Sequence, residues 1–330
     1  MRYCAILAAV IWAGLATAQG WEDRQVFGTG DAPLRVLSST DTSFFRPIIE
    51  DFIATSPEVS VEYLVTGTAD LDVLFRADPT AYDVVISSAM DLQLKLANDG
   101  FAAQLADVDH PDWAEWHDSL FAFTTEPAAI VINRAALGDL PVPRTRQDLI
   151  ELMRAHPATF DGRVGTYDVR QSGLGYLFAT QDARASETYW RLIEVMGRMD
   201  ARLYCCSGAM IDDLIAGDLV VAYNVLGSYA EGRSETEAAL TVILPSEFPT
   251  TMMRTALVSR QASDRPVAEA FLRHILALQA TGDATRFPLP PLAAGDGPVI
   301  GLNPALMTYL DKMKRDTFIG EWEDAIVQDD

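Results

Sequence analysis

Two cysteines stand side by side in the stretch LYCCSGAM, as Cys205 and Cys206, in a chain whose third cysteine is Cys4. Adjacent thiols offer four chemistries: metal ligation, a redox couple, a nucleophile, or sulfur lining a loop. A disulfide between chain neighbours closes a small strained ring, far from ordinary disulfide geometry. His110, His117, His156 and His274 show no ligand spacing with one another or with the cysteines, which argues against zinc. The neighbouring Ser207 has no evident partner base. No G-x-S-x-G, P-loop or G-x-G-x-x-G sequence is present. The pair therefore reads as structural or cleft-lining rather than catalytic, and no metal or cofactor is expected.

A second chemistry is carried by hydroxyl-rich loops that recur before helical patterns: 38–42, 66–68, Ser87-Ser88, 171–173 and Ser207-Gly208. A helix N-terminus presents unpaired N–H groups and the positive end of a dipole, so several converging on one cleft make an anion cradle. Ser39, Thr40, Thr68, Ser88, Ser172 and Ser207 are the ligand-binding candidates on these loops. Each hydroxyl could equally cap its own helix. Tyr167 ends the strand that leads into the 168–173 loop. Arg170 in that loop could grip a carboxylate or phosphate through two parallel hydrogen bonds, or pair instead with Asp168. Arg254 is the second cationic candidate, beside the 245–251 connection.

These loops must be positioned by something, and the pattern around them repeats. Strand-like Leu34-Arg35-Val36-Leu37 precedes apolar Phe45, Ile48, Ile49 and Phe52 at helical spacing; residues 59–65 precede Leu71, Leu74 and Phe75; Val84-Val85-Ile86 precedes Leu92, Leu94 and Leu96. A similar alternation runs from Val164 to Tyr223, where Ser207 is read as the N-cap of a helix that stops at Gly217. Thr145 and Asp148 read as a cap pair, and Asp212-Asp213 as a solvated face. A final helix is expected from Pro304 to about Lys314. Strand, loop and helix in alternation imply an α/β sheet covered on both faces, with ligands outside the carboxyl ends of its strands.

The first 18 residues combine Arg2, an apolar run from Ala5 to Leu15 and a small-x-small site at Ala16-Thr17-Ala18. They read as a cleaved signal peptide, which implies an exported, periplasmic protein. The run is shorter than the roughly 20 residues that span a bilayer. Of 330 residues, 49% are apolar, so the chain can fill real cores; a net charge of −22 repels nucleic acid and excludes it as a partner.

The segments LRVLSSTDTSFFRPIIEDF, YDVVISSAMDLQLKLANDG, FAFTTEPAAIVINRAAL, GDLVVAYNVLGSYA and RTALVSRQASDRPVAEAFLRHIL resemble the bacterial solute-binding proteins of ABC importers, in the branch with ferric-ion, sugar-phosphate and phosphoglycerate binders. The resemblance implies a two-lobed periplasmic-binding-protein type II fold, α/β, each lobe a mixed sheet flanked by helices, joined by a two-segment hinge. Lobe 1 would comprise residues 33–123 plus 252–330 and lobe 2 residues 128–245, with hinge crossings at 124–127 and 246–251. Ferric-ion members bind metal through adjacent tyrosines shortly after an asparagine. The matching place, after Asn224, reads Val225-Leu226-Gly227-Ser228, and Tyr223 and Tyr229 are spaced differently. That favours a small anionic solute, a carboxylate or phosphorylated metabolite, with Asn224 among the ligand residues. A membrane ABC permease is the implied partner. A metal-ion receptor, a ligand sensor docking a membrane histidine kinase and an exported hydrolase are the alternatives.

Overall fold

The computed structural model describes residues 21–234, 240–293 and 299–328. The expected signal peptide and Cys4 lie outside the described residues. Alternating β-branched and aromatic runs form thirteen strands among them. These are β1 (Asp23–Phe27), β2 (Pro33–Ser38), β3 (Ser60–Val65), β4 (Val84–Ser87), β5 (Glu115–Trp116), β6 (Leu120–Ala122) and β7 (Glu126–Asn133), then β8 (Val164–Tyr167), β9 (Arg202–Tyr204), β10 (Val221–Leu226), β11 (Leu240–Ile243), β12 (Thr251–Met252) and β13 (Thr255–Val258). The helices are α1 (Thr42–Thr55), α2 (Thr68–Ala77), α3 (Met90–Asn98), α4 (Arg134–Leu137), α5 (Arg146–Ala155) and α6 (Pro157–Phe160), then α7 (Gly173–Ala185), α8 (Thr188–Arg198), α9 (Ser207–Ala216), α10 (Gly227–Ser234), α11 (Arg265–Gln279) and α12 (Lys312–Ile326).

The strands build two mixed sheets. One runs β1-β3-β2-β4-β13-β6-β5 and the other β11-β7-β10-β8-β9, with β12 paired to β7 beside it. Within the first sheet β2 is parallel to β3 and β4; within the second, β8 is parallel to β9 and β10. Parallel neighbours end on the same edge, which is why the hydroxyl loops gather there. One core packs α1 and α11 on the first sheet and another packs α5 and α8 on the second. A third runs through both halves, joining Leu71, Met90 and Leu94 to Leu177, Met210 and Leu214.

Local chemistry explains several boundaries. Thr145 and Asp148 form a reciprocal capping box on α5, and Gly217 ends α9 in the left-handed region at φ 81°. The chain end departs from the sequence expectation. Pro304–Leu310 is a 3-10 turn, and the helix starts after it, with Asp311 accepting from the Lys314 N–H. Phe318, Trp322 and Ile326 then recur at four-residue spacing and bury against α8, so the segment assigned to lobe 1 as far as residue 330 packs in its last helix with the second sheet.

Two buried polar networks hold the segments between the sheets. Glu126, on the way into β7, pairs with Arg254 through both oxygens at 3.0 and 3.1 Å, and accepts from Thr124 at 2.7 Å and from Ser228. Asp182 of α7 accepts from Arg146 at 3.0 Å, Thr250 at 2.7 Å, Tyr223 at 2.6 Å and Asn224 at 2.9 Å. Arg146 also donates to the Glu247 and Phe248 carbonyls, which fastens the 246–250 return segment to the second half. Such densely bonded buried networks favour one arrangement of the segments they join.

Candidate functional site

A cavity of about 550 Å³ lies where the two halves face each other. Five helices begin at its wall, and each is long enough to carry a dipole. Ser39 and Asp41 lead into α1, Gly67 to Asp70 open α2, Ser88 precedes α3, Gln171 and Ser172 precede α7, and Ser207 to Ala209 open α9. Ser172 caps α7 by accepting from the Gly175 N–H, and the Ser87 hydroxyl accepts from Ala89 before α3. The residues at the N-caps of α1, α2, α3 and α9 make no side-chain cap bond, so a bound acceptor can take that place. Hydroxyls of Thr66, Thr68, Tyr167 and Tyr229 complete a polar lining.

Eight of the ten residues singled out from the sequence line this cavity: Ser39, Thr68, Ser88, Tyr167, Arg170, Ser172, Ser207 and Arg254. Thr40 stands just behind it, accepting from the Arg254 guanidinium. Asn224 does not reach it. Its backbone turns left-handed, at φ 61°, where the register of β10 against β7 shifts, and its amide goes to Asp182 in the network described above. Ser207 is the first helical residue rather than the N-cap, which falls on Cys206. Its Oγ lies 2.5 Å from the Tyr167 hydroxyl and accepts from the Leu226 N–H at 3.1 Å.

Neither arginine offers a free positive charge. Arg170 is held by both oxygens of Asp168, at 2.8 and 2.7 Å, and by Glu323 of α12 at 3.0 Å, while its guanidinium lies 5.8 Å from the Trp322 ring. The pairing with Asp168 left open by the sequence is thus the one formed. Arg254 is fully buried against Glu126.

The same wall carries carboxylates that the sequence did not mark as site residues: Glu22, Asp41, Asp70 and Asp212, the last read there as part of a solvated face. A Cβ built on Gly67 would lie 3.4 Å from Asp70 Oδ2 and 3.6 Å from Glu22 Oε1, which brings these two acids together above the start of α2. Burial, then the charges of Asp41 and Asp70, raises the Glu22 carboxyl above its ordinary value. A side cavity of about 500 Å³ shares Ala69, Asp70 and Arg170 with the main one and continues past Asp91, Tyr176 and Arg315. Asp91 is 3% exposed, and its Oδ1 has no hydrogen-bond partner. Cys205 and Cys206 also line the main cavity as free thiols, and burial followed by the neighbouring Cys205 pushes the Cys206 thiol up to about 12. Among the described residues no three His, Cys, Asp or Glu side chains are grouped to hold a metal ion, and no helix is long and apolar enough to cross a membrane.

No family model matches the chain, and no curated protein matches it in sequence. Solved structures do. The substrate-binding protein of an ABC transporter from Agrobacterium tumefaciens is 29% identical, with a TM-score of 0.86 over 92% of this chain and 98% of that one. The periplasmic binding protein AfuA from Actinobacillus pleuropneumoniae, with fructose-6-phosphate bound, matches at 14% identity and a TM-score of 0.69, over 90% of this chain and 99% of that one. Iron-bound HitA from Pseudomonas aeruginosa matches at 14% and 0.64, over 89% and 99%.

Proposed function

We propose that this chain, which has the two-lobed type II periplasmic-binding-protein fold of ABC-importer substrate-binding proteins, is an exported receptor that captures a small anionic solute for a membrane permease. The observation that carries the reading is the convergence of five helix N-termini from both halves on one cavity, four without a side-chain cap. An anion there can accept first-turn N–H groups of these helices, and the aligned dipoles favour its charge. With Arg170 and Arg254 already paired, the peptide groups and hydroxyls hold the solute. The segments 124–127 and 246–251 act as the hinge, and closure around the solute buries it between the lobes.

Thermal unfolding against a panel of carboxylates, sugar phosphates, phosphonates and metal ions tests this. A ligand at one hundred times its Kd stabilises the folded form by about 2.7 kcal/mol. Organic anions should raise the midpoint. A rise with metal ions alone, or steady turnover of an ester, phosphate or glycoside, would replace the reading with a metal receptor or a hydrolase.

A further inference from the structure

The wall that presents helix N-termini also presents two acids, Glu22 and Asp70. Glu22 and Asp70 flank Gly67 at the mouth of α2, and neither has an ion-pair partner among the described residues. Asp70 reaches the side cavity too, where Asp91 places a buried oxygen without a partner. Three of the four positive groups around that cavity are engaged with other acids. Arg76 pairs with Asp72 and Asp99, Lys95 with Asp99, and Arg170 with Asp168 and Glu323. Arg315 lies over the Tyr176 ring, 4.4 Å from its centroid, and its charge also favours the ionised form of Asp91, which leaves Glu22 and Asp70 as the acids without a facing cation.

An anion alone would occupy this cleft beside uncompensated carboxylates of its own sign, which costs binding in a partly desolvated site. A metal ion would need several acids converging on one point, and among the described residues none converge in that way. An ammonium group with separate N–H donors suits acids spread along one wall. We infer that the solute is zwitterionic: its anionic end sits on the helix N-termini, and an ammonium or similar organic cation is taken by Glu22 and Asp70, with Asp91 at the adjoining side cavity. The inference rests on the anion-receptor reading and adds a second charge to the same ligand.

Calorimetry on the protein with matched sets of small molecules separates the two claims. Each set holds a zwitterion, its partner without the amine, and the bare amine: phosphoethanolamine, ethyl phosphate and ethylamine; 3-aminopropylphosphonate, propylphosphonate and propylamine; β-alanine, propionate and ethylamine. At least one zwitterion should bind tenfold or more tightly than its deaminated partner, and Asp70→Asn and Asp91→Asn should each shrink that ratio. Equal affinity for the zwitterion and its partner in every set that binds overturns the cationic subsite and leaves the anion receptor standing. Binding of amines but not of anions overturns both, as does no binding by any member.

Discussion

Asp91 sits in the first turn of α3, where its carboxylate accepts the N–H groups of its own residue and of Leu92, yet it is fully enclosed and one oxygen has no partner. Burial is the largest influence and raises its pKa from 3.8 to about 7; Arg315 pulls the other way and Asp72 adds to the rise. The other charged groups along the side cavity are Asp70, Arg76, Lys95 and Arg170. Because the folded-state value lies above the unfolded one, the native protein keeps a proton that the unfolded chain has already released between about pH 4 and 7. Stability therefore falls as pH rises through that window, and the full cost is present above it. Three units at 1.36 kcal/mol each set a ceiling of about 4 kcal/mol. Asp91→Asn removes the ionisation and gives back about 0.3–1 kcal/mol of favourable charge at a helix start, so a net gain of about 3 kcal/mol is expected at pH 8. For a chain of this size, at about 2.1 cal/mol/K per residue, that is a rise of about 4 °C in Tm. Denaturation of both proteins at pH 4.5 and pH 8 checks it: the variant should gain only at the higher pH. An equal difference at both values, or a less stable variant at pH 8, refutes the reasoning.

Arg254→Ala strands Glu126 in the interior and should destabilise the protein by about 3–5 kcal/mol in urea unfolding, with the Glu126→Leu, Arg254→Met double variant losing much less. Arg170→Ala should change solute affinity by less than tenfold, since its charge is spent on Asp168 and Glu323; a hundredfold loss by calorimetry would return Arg170 to the binding site. At pH 8 the Cys206 thiol should alkylate more slowly with iodoacetamide than a free cysteine does, followed by peptide mass analysis, because its thiolate is scarce.

The strand-loop-helix alternation around Ser39, Thr68, Ser88, Ser172 and Ser207 was readable because apolar spacing is a local property, and parallel pairing then carries those loops to one edge. What escaped depends on pairing between distant residues. Glu22 enters the site because β1 adds antiparallel to β3, a register that a five-residue strand does not announce. Arg170 had a legible neighbour in Asp168, but Glu323 lies 153 residues away. Asn224 sat on the right strand and was turned aside by a register shift that no residue pattern marks. The chain-end helix did carry a signal: Phe318, Trp322 and Ile326 mark one face, and Asp311 stands where a cap belongs.

That helix adds a constraint to the proposed hinge. A chain that returned to the first sheet and stopped would join two bodies through two ribbons, leaving them free to open and also to yaw. Here the polypeptide runs on past Pro304–Leu310, beside α3, and is pinned by Trp322 against α8, with Glu323 clasping Arg170 at the rim of the cleft. In the closure proposed above, this third strap would have to flex along with the two crossings, which places the Arg170–Glu323 salt bridge where that movement would be felt.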